Sequence, residues 1–516
     1  MLERPPVCWK GLQLNDSNLL GAGSFIDGSF SRSRSSDVDL IVTNPANGGI
    51  VRRVVDISDH DVKRAATSAE TAFQLWRLSS LKNRSAFLRR WHTLVMENRE
   101  DLAHLITLEN GKPLSEARVE VDYAASFIDW NVLAATQGRG SLAVQHEEDL
   151  YASTTHQPIG VCLVITPWNF PAAMIVRKVA PALAAGCAVV AKPSDLTPLT
   201  ALALAELASR AGAPRGLFNV LATTRAGPVS DLVLQQRCIR MLSFTGSTRV
   251  GKLLAAKAGQ RLLKTSLELG GHAPFIVYDD ADVEAAVDGL MKNKFRVAGQ
   301  TCIAANRVFV QRGPIYHDFC TQLTERMASL VMGNGLENGA QIGPLISEAA
   351  VERVTAHVDD AVARGATLVL GGTSKTKSSS SSELEASDDT DEGEEKASLF
   401  FPPTLLLGVT DDMLLAKEET FGPVVGVLMF TEEREVIRRA NDNTEGGLAS
   451  YVYTSDAGRA LRASKDLSFG MVGVNETNVS NCATPFGGMK ESGLGREGGV
   501  HSLEAFTEVK YALMRF

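Results

Sequence analysis

Cysteine is scarce in this 516-residue chain: seven residues, at 8, 162, 187, 238, 302, 320 and 482, with no CxxC pair and no clustered histidines. An odd, scattered set excludes a disulfide framework and supplies no zinc ligands, so no metal is expected and a reducing compartment fits best. Long apolar runs are missing as well. The stretch from Ala180 to Ala191 is broken by Pro181 and Gly186 and stops at Lys192, short of the roughly 18 residues a bilayer span needs. No basic block offsets a formal net charge of -8, so neither nucleic acid nor an anionic membrane is an expected partner. The opening residues carry Glu3 and lack the Arg-rich amphipathic pattern of a mitochondrial leader. The cytoplasm is the expected location, with the mitochondrion left open.

What is present reads as a folded α/β chain. With 44% hydrophobic and 22% charged residues the composition is that of a globular protein, and the length suggests two or three domains. Residues 60 to 137 repeat apolar positions at three and four, among them Leu88, Trp91, Leu94 and Val95, as amphipathic helices over a sheet do. From Val161 the texture changes to short apolar runs, VCLVI, CAVVA and MLSF, each followed by Pro or Gly and then by helical sequence. Such runs are buried parallel strands. A second set begins at APFIVYDDAD and continues through NRVFVQ, GPVVGVLMF, SYVYTSD and GMVGVNE, so two α/β domains are expected to meet near Gly270 and Gly271. Ser374 to Lys396 carries eight acids and three lysines with almost nothing apolar. It cannot offset its ordering entropy and is expected to be a disordered insertion, either simply tolerated or modified at Ser382 or Ser387.

Five short motifs carry chemistry. TPWNFP at 166–171 follows a strand, and the amide of Asn169 suits an oxyanion hole. FTGSTRVGK at 244–252 frames a helix start with Gly246 and Gly251, where backbone N–H groups can meet a phosphate; the GxGxxG fingerprint is absent. AKPSDLTP at 191–198 ends a strand with Lys192 and Asp195, which could hold an adenosine ribose. LELGG at 267–271 places Glu268 where desolvation would raise its pKa towards that of a general base. AGQTC at 298–302 places Cys302 in a turn where a thiol could be exposed and activated. Taken singly, each is equally a packing or turn residue, and a lone cysteine is more often an inert buried thiol.

Together with EETFGP at 418–423 and PFGGMKESGLGRE at 485–497, these motifs resemble, in order, the signatures of the aldehyde dehydrogenase superfamily from about Asn44 to Tyr511. The resemblance implies a Rossmann-type coenzyme domain (1–139 and 160–270), an α/β catalytic domain (271–490) and small β oligomerisation elements (140–159 and 491–516) that make a homodimer or homotetramer. It implies that Cys302 is the nucleophile, Glu268 the base, and Asn169 with the Cys302 amide the oxyanion hole. It assigns NAD(P) contacts to Trp168, Lys192, Ser194, Asp195, Gly246, Ser247, Glu419 and Phe421, and a proton relay, in some members, to the positions of Lys178 and Glu497.

Within the superfamily, Arg177, Arg296 and Ser480 resemble the positions at which succinate-semialdehyde dehydrogenases bind the distal carboxylate of a semialdehyde substrate. Two guanidiniums and a hydroxyl can do this by charge-assisted hydrogen bonds. Glutarate semialdehyde, one methylene longer, stays open. Asp195 would repel the 2′-phosphate of NADP, which favours NAD, although Lys192 and Ser194 leave NADP use open. Ala304 stands where many members of the subfamily have a second cysteine, so a disulfide switch at the nucleophile is expected to be missing.

Overall fold

The computed structural model describes residues 14–515 except 20, 32–38, 137–139, 144–148 and 373–397. The acidic segment Ser374 to Lys396, with Ser382 and Ser387, therefore lies outside the described residues. Four helices, Asp59–Trp76, Leu81–Glu97, Arg99–Asn110 and Leu114–Thr136, occupy the stretch with helical periodicity. Ser58 and Ser80 start the first two by accepting the Asp61 and Asn83 backbone N–H groups, satisfying donors the helix cannot pair itself. Their apolar faces, with Trp91 fully buried, pack over the sheet.

That sheet has eight strands, with a parallel centre formed by Phe218–Val220, Ala188–Lys192, Val161–Ile165, Ile239–Thr245 and Lys264–Glu268 in spatial order. Val161–Ile165 and Ala188–Lys192 are buried throughout, because helices cover both faces, and only Lys192 at a strand end is charged. A second sheet runs in the order Thr367–Leu370, Thr404–Leu407, Val424–Phe430, Ala305–Gln311, Ala273–Val277, Ala449–Tyr453 and Met471–Val474, parallel except at its first pair. Two apolar cores follow the sheets, and the chain passes from one to the other between Leu269 and Ala273.

The C-terminal boundary differs from expectation. Residues 491–506, grouped by sequence with the oligomerisation elements, return to the first domain instead: Gly493–Leu494 pairs antiparallel with Lys264–Glu268, and Leu503 and Phe506 join the first core. Short strands and apolar anchors of this kind are set by distant partners and leave no local period. Only Thr507–Arg515 forms the separate sheet, paired with Leu150–Pro158, which also pairs with Gly140–Ala143. Thr507–Arg515 leaves Val509, Tyr511 and Leu513 more than half exposed. Among the described residues no helix is long and apolar enough to cross a membrane.

Candidate active site

The carboxyl ends of the parallel strands point into one crevice, as open α/β sheets arrange their ligand sites. Asn169 follows Val161–Ile165, Lys192 ends Ala188–Lys192, Gly246 and Ser247 follow Ile239–Thr245, and Glu268 ends Lys264–Glu268. From the second domain, Cys302 precedes Ala305–Gln311, while Glu419 and Phe421 precede Val424–Phe430. A cavity of about 240 Å³ opens between them. Cys302, Asn169, Arg177, Arg296 and Ser480 are among the residues that line it, as are Trp168, Gly246, Ser247, Glu419 and Phe421. Glu268 stands behind this surface, and Lys192, Ser194 and Asp195 do not line it.

Asn169 is buried, and its Nδ2 donates to the Gln300 carbonyl at 2.9 Å. That acceptor fixes the amide orientation and leaves the second amide hydrogen unused. Glu268 is 1% exposed, and neither carboxylate oxygen has a hydrogen-bond partner. Burial, then the Glu497 carboxylate, hold it well above the usual carboxylate range against the opposing pull of Arg177 and Lys178. Cys302 is half-buried and lines the cavity. Burial, then Glu419, push its thiol up to about 12. Burial disfavours the thiolate more than Arg177 and Arg296 favour it.

The two arginines are held differently. Arg177 is 2% exposed; its Nε donates to Glu497 at 2.5 Å and its guanidinium stands 4.1 Å over the Phe486 ring. Glu497 also pairs with Lys178. Arg177 is thus paired through Nε, while its Nη2 is buried without a partner among the described residues. Arg296 lies 5.1 Å over Phe170, its Nε buried and unpartnered. Ser480 Oγ shares a 2.5 Å hydrogen bond with Tyr123 Oη, and Tyr123 lines the same cavity. Tyr123 was invisible to motif reasoning, because it sits in a helix that periodicity alone explains.

The crevice also fits a nicotinamide coenzyme. Thr166 Oγ1 and Thr245 Oγ1 are buried at strand ends without hydrogen-bond partners, the helix Thr248–Gly259 turns its N-terminus towards the opening from Ser247, and a Cβ on Gly270 would stand 3.0 Å from Glu419 Oε2. Backbone left bare at a helix start is what a bound phosphate or sugar requires. Comparison with known proteins agrees: the family model described as "Aldehyde dehydrogenase family" matches residues 31–512. The chain belongs to the aldehyde dehydrogenase family. Aldehyde dehydrogenases are oxidoreductases that use NAD(P), and the fold described above is theirs. This aldehyde dehydrogenase is 45% identical over 500 residues to the Escherichia coli succinate-semialdehyde dehydrogenase [NADP(+)] GabD, covering 97% of this chain and 99% of that one. It is 46% identical over 503 residues to the 3-sulfolactaldehyde dehydrogenase of Pseudomonas putida, covering 98% and 99%. Among solved structures, succinate-semialdehyde dehydrogenase from Burkholderia pseudomallei superposes with a TM-score of 0.91 at 43% identity, covering 98% of this chain and all of that one.

Proposed function

We propose that this aldehyde dehydrogenase oxidises succinate semialdehyde to succinate. The observation that carries the proposal is the pair of guanidiniums, Arg177 and Arg296, each with a buried nitrogen lacking a partner, in the cavity that Cys302 also lines. An unpaired buried donor on a charged group is costly unless a ligand satisfies it. A four-carbon semialdehyde holds its carboxylate a few bonds from the reacting carbon, so one cavity serves both ends. Glutarate semialdehyde is the second reading, since one methylene discriminates by only about 1–3 kcal/mol.

In the proposed mechanism Cys302 gives its proton to Glu268 and attacks the aldehyde carbon. The free Asn169 amide hydrogen and the Cys302 backbone N–H stabilise the oxyanion. The coenzyme, when bound, supplies the hydride acceptor. Glu268 releases that proton to solvent and then draws one from a water that attacks the Cys302 thioester; the departing Cys302 thiolate takes this proton back as the acid leaves. Trp168, Lys192, Ser194, Asp195, Gly246, Ser247, Glu419 and Phe421 are proposed to hold the coenzyme. The position of the strand Thr507–Arg515, with its exposed apolar residues, supports a homo-oligomer. A panel of succinate semialdehyde, glutarate semialdehyde and propanal with NAD and with NADP tests the assignment: the highest kcat/KM is expected for succinate semialdehyde, and preference for propanal would overturn it.

A further inference from the structure

The reaction uses none of the buried charges on residues 110–120. Lys112 and Glu120 are each 2% exposed and pair at 2.5 Å between Nζ and Oε2. Two charges taken out of water lose more in desolvation than they regain unless other polar partners complete them. Here those partners are backbone groups of the turn that bears Asn169. Lys112 Nζ donates to the Asn169 carbonyl at 2.7 Å and stands 4.2 Å over the Phe170 ring. Glu120 Oε1 accepts the Ala172 N–H at 2.8 Å and the Ala173 N–H at 3.3 Å. Asn110 Nδ2 donates to the Trp168 carbonyl at 3.1 Å. The turn is therefore held at the Trp168 and Asn169 carbonyls and, where it enters the next helix, at the Ala172 and Ala173 N–H groups.

One helical turn before Glu120, on the same face of Leu114–Thr136, Glu116 accepts the Val297 N–H at 2.9 Å. Val297 and Ala298 have φ of 52° and 51°, a left-handed conformation that a β-branched residue resists and that surrounding structure must impose. These two residues lead directly into Gln300, Thr301 and Cys302. A single stretch of chain thus holds the turn with the oxyanion donor and the turn with the nucleophile, one from each domain.

We propose that the Lys112–Glu120 pair, together with Glu116, is a positioning device that sets the Asn169 amide against Cys302. None of the three lines the cavity, so none is a catalytic residue; they act through Asn169 and the Cys302 turn. Oxyanion donors work only over a few tenths of an ångström, and a misplacement of about 1 Å costs roughly 100-fold in rate.

The test replaces both partners, Lys112→Met with Glu120→Gln, so that neither is left as a lone buried charge, with Asn169 intact and again with Asn169→Ala. With Asn169 intact, kcat is expected to fall roughly 10- to 100-fold, with KM and coenzyme affinity unchanged. In the Asn169→Ala background the pair replacement should add nothing, because its effect passes through that amide. Multiplying losses, or reduced thermal stability with kcat intact, would overturn the proposal. Should the pair variant not fold, Glu116→Ala and Glu116→Gln carry the test: the first should lower kcat and the second, which keeps an acceptor for Val297, should restore it. Equal kcat in both variants would overturn the proposal.

Discussion

Replacing Arg296 with Met isolates the carboxylate contact. The methionine keeps an apolar stem over Phe170, which the guanidinium covers at 5.1 Å, and deletes only the charge and its donors. No acid forms a salt bridge with Arg296 among the described residues, although its charge acts on Glu116; Arg177, tied directly to Glu497, would leave a paired carboxylate behind. A unit-charge pair at about 4 Å is worth about 4 kcal/mol at an effective dielectric near 20. Desolvating the substrate carboxylate and the guanidinium takes part of this back, which leaves the 1.5–3 kcal/mol typical of a charge-assisted hydrogen bond. That range corresponds to roughly 10- to 150-fold in kcat/KM. For succinate semialdehyde the loss should fall mainly on KM, since the carboxylate is held alike before and during reaction. Propanal has no carboxylate and should lose only the smaller part that the pull of Arg296 on the Cys302 thiol supplies. Initial rates of NAD(P)H formation with both aldehydes, for wild type and variant, give the comparison. An equal factor on the two substrates would refute a carboxylate role for Arg296, and the substrate assignment with it.

Cys302→Ala is expected to abolish NAD(P)H formation while coenzyme binding, followed by fluorescence quenching, persists; residual turnover would place the nucleophile elsewhere. Because burial raises Glu268 well above the ordinary carboxylate range, it is protonated at pH values where an exposed glutamate is ionised, so kcat should rise with pH through that elevated pKa. Glu268→Gln should remove this limb from the pH–rate profile, and an unaltered profile would assign the base to another group. Asp195→Asn removes the carboxylate expected to repel a 2′-phosphate, and should raise kcat/KM with NADP relative to NAD; an unchanged ratio would dissociate Asp195 from coenzyme choice. Mild peroxide should inactivate the enzyme without a disulfide at Cys302, because residue 304 is alanine; a Cys302 disulfide in peptide mapping would contradict this.

The strands and the chemistry at their ends were legible because each is a local pattern. VCLVI and CAVVA announce buried parallel strands, and Asn169, Glu268 and Cys302 sit in short turns with little other reason for their residue types. The surroundings of Cys302 were not legible: its turn suggests an accessible thiol, and Cys302 is half-buried, but the cavity it lines is completed by distant segments, Thr245, Phe486 and Glu419 among them. Nor was the role of residues 491–506, whose two-residue strand pairs with Lys264–Glu268 and whose Glu497 reaches back across more than 300 positions to Arg177. Lys112 shows the limit most clearly. Between two helices a lysine reads as surface, and only its pairing with Glu120 and the Asn169 carbonyl shows that it is buried.

The net charge of -8 argued against anionic partners, yet the proposed substrate is an anion. The two statements concern different ranges. Screening confines exposed charges to about 8 Å at physiological ionic strength, and most of the acidity belongs to the segment from Ser374 to Lys396, so the overall sign says little about one buried cavity. Inside that cavity Arg177 is fixed by Glu497 and Phe486, while Arg296 lies over Phe170 with no salt bridge among the described residues. An anchored guanidinium orients a carboxylate, and a less constrained one can follow it when the chain lengthens by a methylene. Succinate and glutarate semialdehydes should accordingly differ more in kcat, which depends on where the aldehyde carbon meets Cys302, than in KM.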